Sequence, residues 1–180
     1  DRKILTWVSP ENVANWLQTK SETIDHQSIT VKELDYMVGV LAAQFKKQGI
    51  GHQDRVILFL PMSVYMYASM FALQKIGAIP TFLDSWARHT QMGVCAKVSE
   101  PKAMISVHRA FDYLKEVKEI GDIKIKIVLG PTPQESVYTA HLEQLMSNTE
   151  YEPECAVQKE DTALITFTTG SSGTPKGADR

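Results

Sequence analysis

The sequence has little cysteine, no long apolar run and no excess of charge of either sign, and each absence excludes a class of protein. Its 180 residues include 2 cysteines, Cys95 and Cys155, which stand far apart and outside any C-x-x-C pair. They are typical of reduced thiols in a cytosolic protein rather than of a disulfide framework. Lys and Arg together number 19 and Asp and Glu 21, so the formal net charge is −2. This balance gives no electrostatic reason to expect nucleic-acid binding.

No stretch approaches the roughly 20 apolar residues that cross a bilayer, and we expect neither a membrane-spanning segment nor a signal peptide. The 5 histidines show no metal-ligand spacing, so the sequence predicts no metal site. Hydrophobic residues make up 43% and charged residues 22%, as in an ordinary globular protein of about one domain. We therefore expect a cytoplasmic protein.

Short apolar runs alternate with amphipathic stretches along the chain. Ser9 precedes Pro10 as a helix N-cap, and Thr30 with Glu33 fits a capping box that opens the most strongly periodic helix, ended by Gly49. Further helices are expected at about 63–75, 88–98, 111–120 and 137–146, and strands at 55–60, 78–83, 103–107, 124–129 and 162–167. The segment 148–160 is polar and indicates a long loop. This alternation predicts an α/β fold with a mostly parallel sheet flanked by helices.

The segment Thr168–Gly177 has the composition of a phosphate-binding loop and follows the last apolar strand directly. Ligands of parallel sheets bind beyond the carboxyl ends of the strands. Glycines let backbone N–H groups approach oxygen atoms, hydroxyls donate hydrogen bonds, and Lys176 adds a compact positive charge. The candidate ligands are Thr168, Thr169, Gly170, Ser171, Ser172, Gly173, Thr174, Lys176 and Gly177. The alternative is a flexible surface loop with a solvated lysine, but the position after a buried strand favours phosphate binding.

Two common nucleotide-binding motifs are excluded by spacing. A Walker A loop needs G-x-x-x-x-G-K-[ST]; counted from Gly170, Pro175 stands where the second glycine belongs. The dinucleotide fingerprint G-x-G-x-x-G is excluded because Gly170 and Gly173 are three residues apart. The segment therefore belongs to neither a P-loop kinase nor a nicotinamide-binding fold.

The segment instead resembles the signature of the adenylate-forming enzymes, which include acyl- and aryl-CoA synthetases, firefly-type luciferases and adenylation domains of nonribosomal peptide synthetases. Their loop is written approximately T-[ST]-G-[ST]-[ST]-G-x-P-K-G, and every position of Thr168–Gly177 fits it. Upstream similarity covers nearly all of the chain from Thr30 onward. It is found in the stretches ITVKEL from Ile29, GIGHQDRV from Gly49, LPMS from Leu60 and KIGAIP from Lys75. The sequence differs from the usual family pattern at Ser85, which follows Asp84 where many members have proline.

The resemblance implies an ATP-dependent ligase that activates a carboxylic acid as an acyl-adenylate and releases pyrophosphate, with Mg²⁺ as cofactor. An acyl-CoA synthetase type is expected, with CoA or a phosphopantetheine arm as acyl acceptor. Lys176 would be the catalytic residue that neutralises leaving-group charge, and Thr168 and Thr169 would donate to phosphate. Residues 1–180 would form part of the large N-terminal AMP-binding domain, ending just after the loop 168–177. We expect this piece alone to be inactive, because the family's other catalytic groups lie downstream of the loop.

Four alternatives stay open on the sequence. Ala178-Asp179-Arg180 after the loop is similar to some β-lactone-forming members, and a carrier-protein-loading enzyme is equally compatible with the motif. A non-catalytic nucleotide-binding module would keep the loop without the chemistry. An unrelated phosphate-binding α/β protein would bind nucleotide without carboxylate-dependent exchange. The sequence identifies neither the acid nor the oligomeric state.

Overall fold

The computed structural model describes residues 2–83, 88–133, 137–155, 157–169 and 175–180, and the chain divides into two compact units, Asp1–Met37 and Val38–Arg180. In the first unit, strand β1 (Lys3–Trp7) pairs antiparallel with strand β2 (Gln27–Thr30), and helix α1 (Pro10–Thr19) connects them. Helix α2 covers Val31–Lys47. The strands β1 and β2 were not predicted from the sequence, because both are short and neither shows a clear alternation of apolar residues.

Both predicted helix caps of the first unit are confirmed. The Asn12 N–H donates to Ser9 Oγ at 3.1 Å at the start of α1. At the start of α2, the Thr30 N–H donates to Glu33 Oε2 at 2.8 Å and the Glu33 N–H donates to Thr30 Oγ1 at 3.2 Å. These reciprocal bonds form a capping box. They hold the Glu33 carboxylate in its charged form, so the pKa of Glu33 lies below its ordinary value.

The second unit contains the α/β sheet that the sequence predicted. Its elements are β3 (Arg55–Phe59), α3 (Val64–Lys75), β4 (Ile79–Phe82), α4 (His89–Ser99), β5 (Ala103–Val107), α5 (His108–Leu114), α6 (Lys118–Gly121), β6 (Ile125–Leu129), β7 (Ala140–His141), α7 (Leu142–Met146), β8 (Ile165–Thr169) and β9 (Pro175–Asp179). Within the described ranges the sheet has seven strands in the order β7-β6-β5-β3-β4-β8-β9. All neighbours are parallel except β8 and β9, which form an antiparallel hairpin.

The core of this unit lies around the central strands. Ile57 of β3, Ile105 of β5 and Ile127 of β6 are fully buried. Strands covered on both faces read as continuous apolar runs, and this is the pattern that predicted β3 and β5. Gly49 and Gly77 follow α2 and α3 with φ of 84° and 73°, where glycine has no Cβ to clash with the backbone.

Four elements of the second unit differ from the sequence prediction. The helix predicted at 111–120 is divided into α5 and α6, because the chain turns at 115–117. The helix predicted at 137–146 is shorter, since residues 140–141 pair with β6 as β7. Strand β8 begins at Ile165 rather than at Thr162, and the strand β9 was not predicted. In the part of the chain that the structure describes, no helix is both long and apolar enough to cross a membrane.

Candidate active site

The candidate site lies at the carboxyl edge of the sheet, where β8 ends. Strands β3, β4, β5 and β8 are mutually parallel, so their last residues, Phe59, Phe82, Val107 and Thr169, all lie at one edge. The segment predicted to bind phosphate begins there and returns along β9. Its position agrees with the general rule that ligands of α/β sheets bind beyond the carboxyl ends of the strands.

The hairpin brings Thr168 and Lys176 together across two strands. These residues are direct partners in the antiparallel register, and both are exposed. Directly opposed residues of an antiparallel pair have their Cβ atoms about 5 Å apart on the same face of the sheet. A hydroxyl donor and an ammonium group thus lie on the same face of the hairpin, next to its last described pair, Thr169 and Pro175. This donor set suits phosphate oxygens. The sequence, by contrast, predicted Lys176 and Gly177 in a loop.

The neighbouring pair of the hairpin, Phe167 and Gly177, has a packing role. The Phe167 ring packs against the buried cluster that includes Ile57, Met104 and Leu114. A Cβ added to Gly177 would lie 3.3 Å from Phe167 Cε1, which is tighter than most Cβ contacts. Gly177 therefore keeps space beside the ring, and its proposed contact with phosphate stays a prediction.

The other predicted ligands are only partly covered by the structure. Gly170, Ser171, Ser172, Gly173 and Thr174 lie outside the described residues, as does Asp84. Thr169 is described as a strand residue that pairs with Pro175. The direct geometric support for the phosphate site is therefore the Thr168–Lys176 pair, together with the position of the hairpin at the carboxyl edge.

Sequence reasoning gave no role to His108, which the structure places at the carboxyl end of β5. His108 Nδ1 and the Tyr138 hydroxyl are hydrogen-bonded at 2.5 Å, and the Tyr138 ring packs on Phe111 with centroids 5.2 Å apart. Strand β5 is three positions from β8 in the sheet, which is about 14 Å. His108 thus lies apart from the Thr168–Lys176 pair. Its pairing with Tyr138, 30 residues away, leaves no signal in the sequence.

Two other reactive side chains among the described residues, Cys95 and His89, have local structural surroundings. Cys95 is buried in α4, and burial raises the pKa of its thiol to about 11, so it is not an activated nucleophile. His89, half-buried at the start of α4, packs edge-on against Tyr113 with ring centroids 4.2 Å apart. The described ranges contain no group of three His, Cys, Asp or Glu side chains that could hold a metal ion.

The family model for AMP-binding enzymes matches residues 10–179. The chain belongs to the AMP-binding enzyme family. It is 31% identical over 154 residues to the putative acyl–CoA ligase YdaB of Bacillus subtilis, covering 84% of this chain and 30% of that protein. It is 28% identical over 158 residues to the pyochelin synthase PchD of Pseudomonas aeruginosa, covering 84% of this chain and 28% of PchD.

Solved structures of AMP-binding enzymes share the fold. The acyl-CoA synthetase of Brucella canis superimposes with a TM-score of 0.77 at 21% identity, covering 99% of this chain and 30% of that one. The anthranilate CoA ligase AuaEII, solved with anthranoyl-AMP, gives a TM-score of 0.72 at 20% identity over 85% of this chain and 30% of the ligase. The expected family and α/β fold are confirmed. The chain spans about 30% of the length of these family members.

Proposed function

We propose that the protein containing this chain is an ATP-dependent ligase that joins a carboxylic acid to AMP and releases pyrophosphate. The observation that supports this most directly is the Thr168–Lys176 pair at the carboxyl edge, in a chain whose family model covers residues 10–179. An acyl-CoA synthetase type is favoured because relatives of the chain include a putative acyl–CoA ligase and acetyl-coenzyme A synthetases. The acceptor of the acyl group would then be CoA or a phosphopantetheine arm.

In the proposed reaction, a carboxylate oxygen attacks the α-phosphorus of ATP and the bond from that phosphorus to the bridging oxygen of the β-phosphate breaks. Pyrophosphate leaves with the bonding electrons, so negative charge grows on the phosphates that the loop would hold. Lys176 would neutralise that charge, and the hydroxyls of Thr168 and Thr169 would donate hydrogen bonds to the phosphate oxygens. Such a displacement is catalysed mainly by positioning and charge neutralisation.

The donor set of the hairpin fits a polyphosphate better than a metal ion. Hydroxyls and an ammonium group donate to anionic oxygens, whereas Mg²⁺ takes carboxylate, carbonyl and water oxygens as ligands. We therefore propose that this chain supplies phosphate contacts, and that Mg²⁺ reaches the site with the nucleotide. When bound there, Mg²⁺ would neutralise phosphate charge. The proposed ligands of the loop also include Gly170, Ser171, Ser172, Gly173, Thr174 and Gly177.

ATP–pyrophosphate exchange on the full-length protein tests this function, across a panel of fatty, aryl and amino acids. We expect exchange that depends on one class of acid and falls at least about tenfold in Lys176→Ala, which is about 1.4 kcal/mol of transition-state stabilisation. Lys124→Ala is the matched control, because Lys124 is an exposed lysine at the opposite edge of the sheet and should leave exchange unchanged.

Two other outcomes would change the assignment. Binding of MgATP without exchange in the presence of any acid would contradict the ligase and indicate a nucleotide-binding module. Exchange with an acid that carries a β-hydroxyl, followed by lactone rather than thioester formation, would indicate the β-lactone-forming alternative.

We also propose that residues 1–180 alone do not catalyse exchange. A carrier protein is the acyl acceptor to test beside CoA. We propose in addition that the protein is cytoplasmic.

A further inference from the structure

The hairpin that carries Thr168 and Lys176 has only a thin connection to the rest of the sheet. Strands β8 and β9 pair in five register positions, but β8 pairs with β4 in two, Thr81 with Ile165 and Phe82 with Thr166. The described side chains of β8 are half-buried or exposed rather than buried. Beyond these pairs, Phe167 of β8 packs against the core cluster and β9 lies against α4, so packing also holds the hairpin. A further contact holds the place where β8 begins.

That contact is made by Asp161, four residues before β8. Its carboxylate accepts from His52 Nε2 at 2.9 Å, from Gln53 Nε2 at 3.1 Å and from the Gln158 N–H at 2.8 Å. We call these four residues the Asp161 cluster. The side chain of Asp161 is 15% exposed. These bonds to the charged form, the Gln158 N–H first and His52 next, hold the pKa of Asp161 below its ordinary value.

The cluster connects the start of β8 to the starts of two other strands. His52 and Gln53 lie in the turn that precedes β3. From this turn the Gln53 N–H donates to the Gly77 carbonyl at 2.7 Å, just before β4. A second hydrogen bond connects α3 with the segment before β8, because Gln74 Nε2 donates to the Ala163 carbonyl at 2.9 Å. The amino ends of β3, β4 and β8 are thereby held together by backbone and side-chain hydrogen bonds, at the edge of the sheet opposite to the candidate site.

A shift at the start of β8 would move its end. Strands rise about 3.3 Å per residue, so the four steps from Ile165 to Thr169 span about 13 Å of extended chain. An extended strand passes an axial displacement along its length, and a one-residue slip would turn Thr168 to the other face of the sheet. The placement of the Thr168–Lys176 pair therefore depends on contacts at the distant end of the strand.

We propose that Asp161 is a positioning residue for the phosphate-binding hairpin: it fixes the register of β8 from the far edge of the sheet, so that Thr168 and Lys176 meet the nucleotide phosphates. The role of the phosphates rests on the proposed function, whereas the effect on the hairpin does not. Asp161 touches neither substrate nor reacting atoms, and acts through the strand.

The comparison that tests this uses a second carboxylate of the same connecting segment. Glu152 pairs with Lys46 of α2, and its backbone N–H donates to the Gly39 carbonyl at 2.9 Å. Glu152 is thus attached as Asp161 is, but it is 13 residues before β8 rather than four. Asp161→Asn and Glu152→Gln each remove one charge with little change of shape. Asp161→Glu retains the carboxylate and serves as the conservative variant.

Two readouts are measured on the full-length protein. Amide hydrogen exchange reports the stability of β8 and β9 directly, and ATP–pyrophosphate exchange gives kcat and the KM for MgATP. In Asp161→Asn we expect about tenfold faster amide exchange over residues 165–169 and 175–179, with little change in β5. We expect the KM for MgATP to rise about threefold or more, the KM for the acid to stay constant, and Asp161→Glu to recover part of the loss.

Glu152→Gln should change neither the amide exchange of the hairpin nor the KM for MgATP. Equal effects of Asp161→Asn and Glu152→Gln on the hairpin, or no change in its amide exchange in Asp161→Asn, would overturn the proposal. If the wild-type protein shows no nucleotide exchange with any acid, the proposed function fails, and the amide exchange still decides whether Asp161 positions the hairpin.

Discussion

The central strands and the hairpin of β8 and β9 in the same sheet are built in different ways. Strand β5 pairs with β3 in four register positions and with β6 in five, and four of its five residues are buried. The hairpin of β8 and β9 pairs with its neighbour β4 in two positions, and Thr168 and Lys176 are exposed. Burial therefore stabilises the centre of the sheet, whereas side-chain hydrogen bonds fix the strand that carries the candidate site.

This difference follows from what each strand must do. A strand that presents hydroxyl and ammonium groups to a ligand cannot also bury them, because an unpaired buried polar group costs free energy. The hairpin leaves Thr168 and Lys176 exposed, and its Phe167 packs against the core. Its position also depends on the start of β8, which is where Asp161 and Gln74 form their hydrogen bonds.

The largest effect on stability is expected when a buried isoleucine is truncated in a central strand of the sheet. Ile105 in β5 is 0% exposed. We expect Ile105→Ala to lower the free energy of unfolding by about 2–5 kcal/mol, since it removes buried methyl groups and leaves a cavity. Ile165→Ala in β8 is the matched control, because this isoleucine is only half-buried and should cost about 1–2 kcal/mol.

Urea unfolding of the two variants measures this difference. Equal losses of stability in Ile105→Ala and Ile165→Ala would show that the hairpin is held by burial after all, and would contradict the comparison. A further check is the urea dependence of the unfolding free energy, which should be the same in both variants if each unfolds as one cooperative unit.

The two regions also differ in how well the sequence predicts them. Continuous apolar runs such as Val56–Leu58 predict the central strands, because strands buried on both faces have that composition. The return strand β9 has the sequence PKGAD, which favours a loop, and it forms because β8 offers a partner for its backbone. The motif predicts Lys176 as a phosphate ligand, but its pairing with Thr168 depends on that unpredicted strand. The Asp161 cluster joins residues 108 and 109 positions apart, beyond any local pattern.

A smaller effect is expected at Gly77, where the start of β4 meets the Asp161 cluster. Its φ is 73°, and an added Cβ would lie 2.3 Å from His52 Cδ2. We expect Gly77→Ala to cost about 1–2 kcal/mol for the left-handed backbone alone, and to displace His52 from Asp161 as well. Gly51→Ala, in the turn before β3, is the control, since the nearest atom to its Cβ is Asp54 Oδ2 at 3.9 Å.

Thermal unfolding measures the stability of both glycine variants. The ring signals of His52 in NMR spectra report whether the His52 side chain has moved. Gly77→Ala with normal stability and unmoved His52 signals would show that the turn has room for a side chain. The link between β4 and the cluster would then be weaker than the structure indicates.

The smallest expected effect is a dependence of stability on pH that distinguishes Asp161 from a surface carboxylate. The pKa of Asp161 is lowered in the folded chain, chiefly by the Gln158 N–H and then by His52. A lowered folded pKa means that the charged carboxylate stabilises the fold above the unfolded pKa of about 4, and that this stabilisation is lost as the pH falls through the folded value.

Asp161→Asn should therefore unfold at lower urea than the wild type at pH 7, with the two midpoints converging below pH 4. The pKa of Asp112 is also lowered, by its hydrogen bond to Lys115 and the charge of that lysine, three residues away on the same exposed surface. Such pairs contribute little to stability, so Asp112→Asn should change the midpoint less at every pH. If the urea midpoints of Asp161→Asn and the wild type differ by the same amount from pH 7 down to pH 3, the charge of Asp161 does not contribute to the stability of the fold.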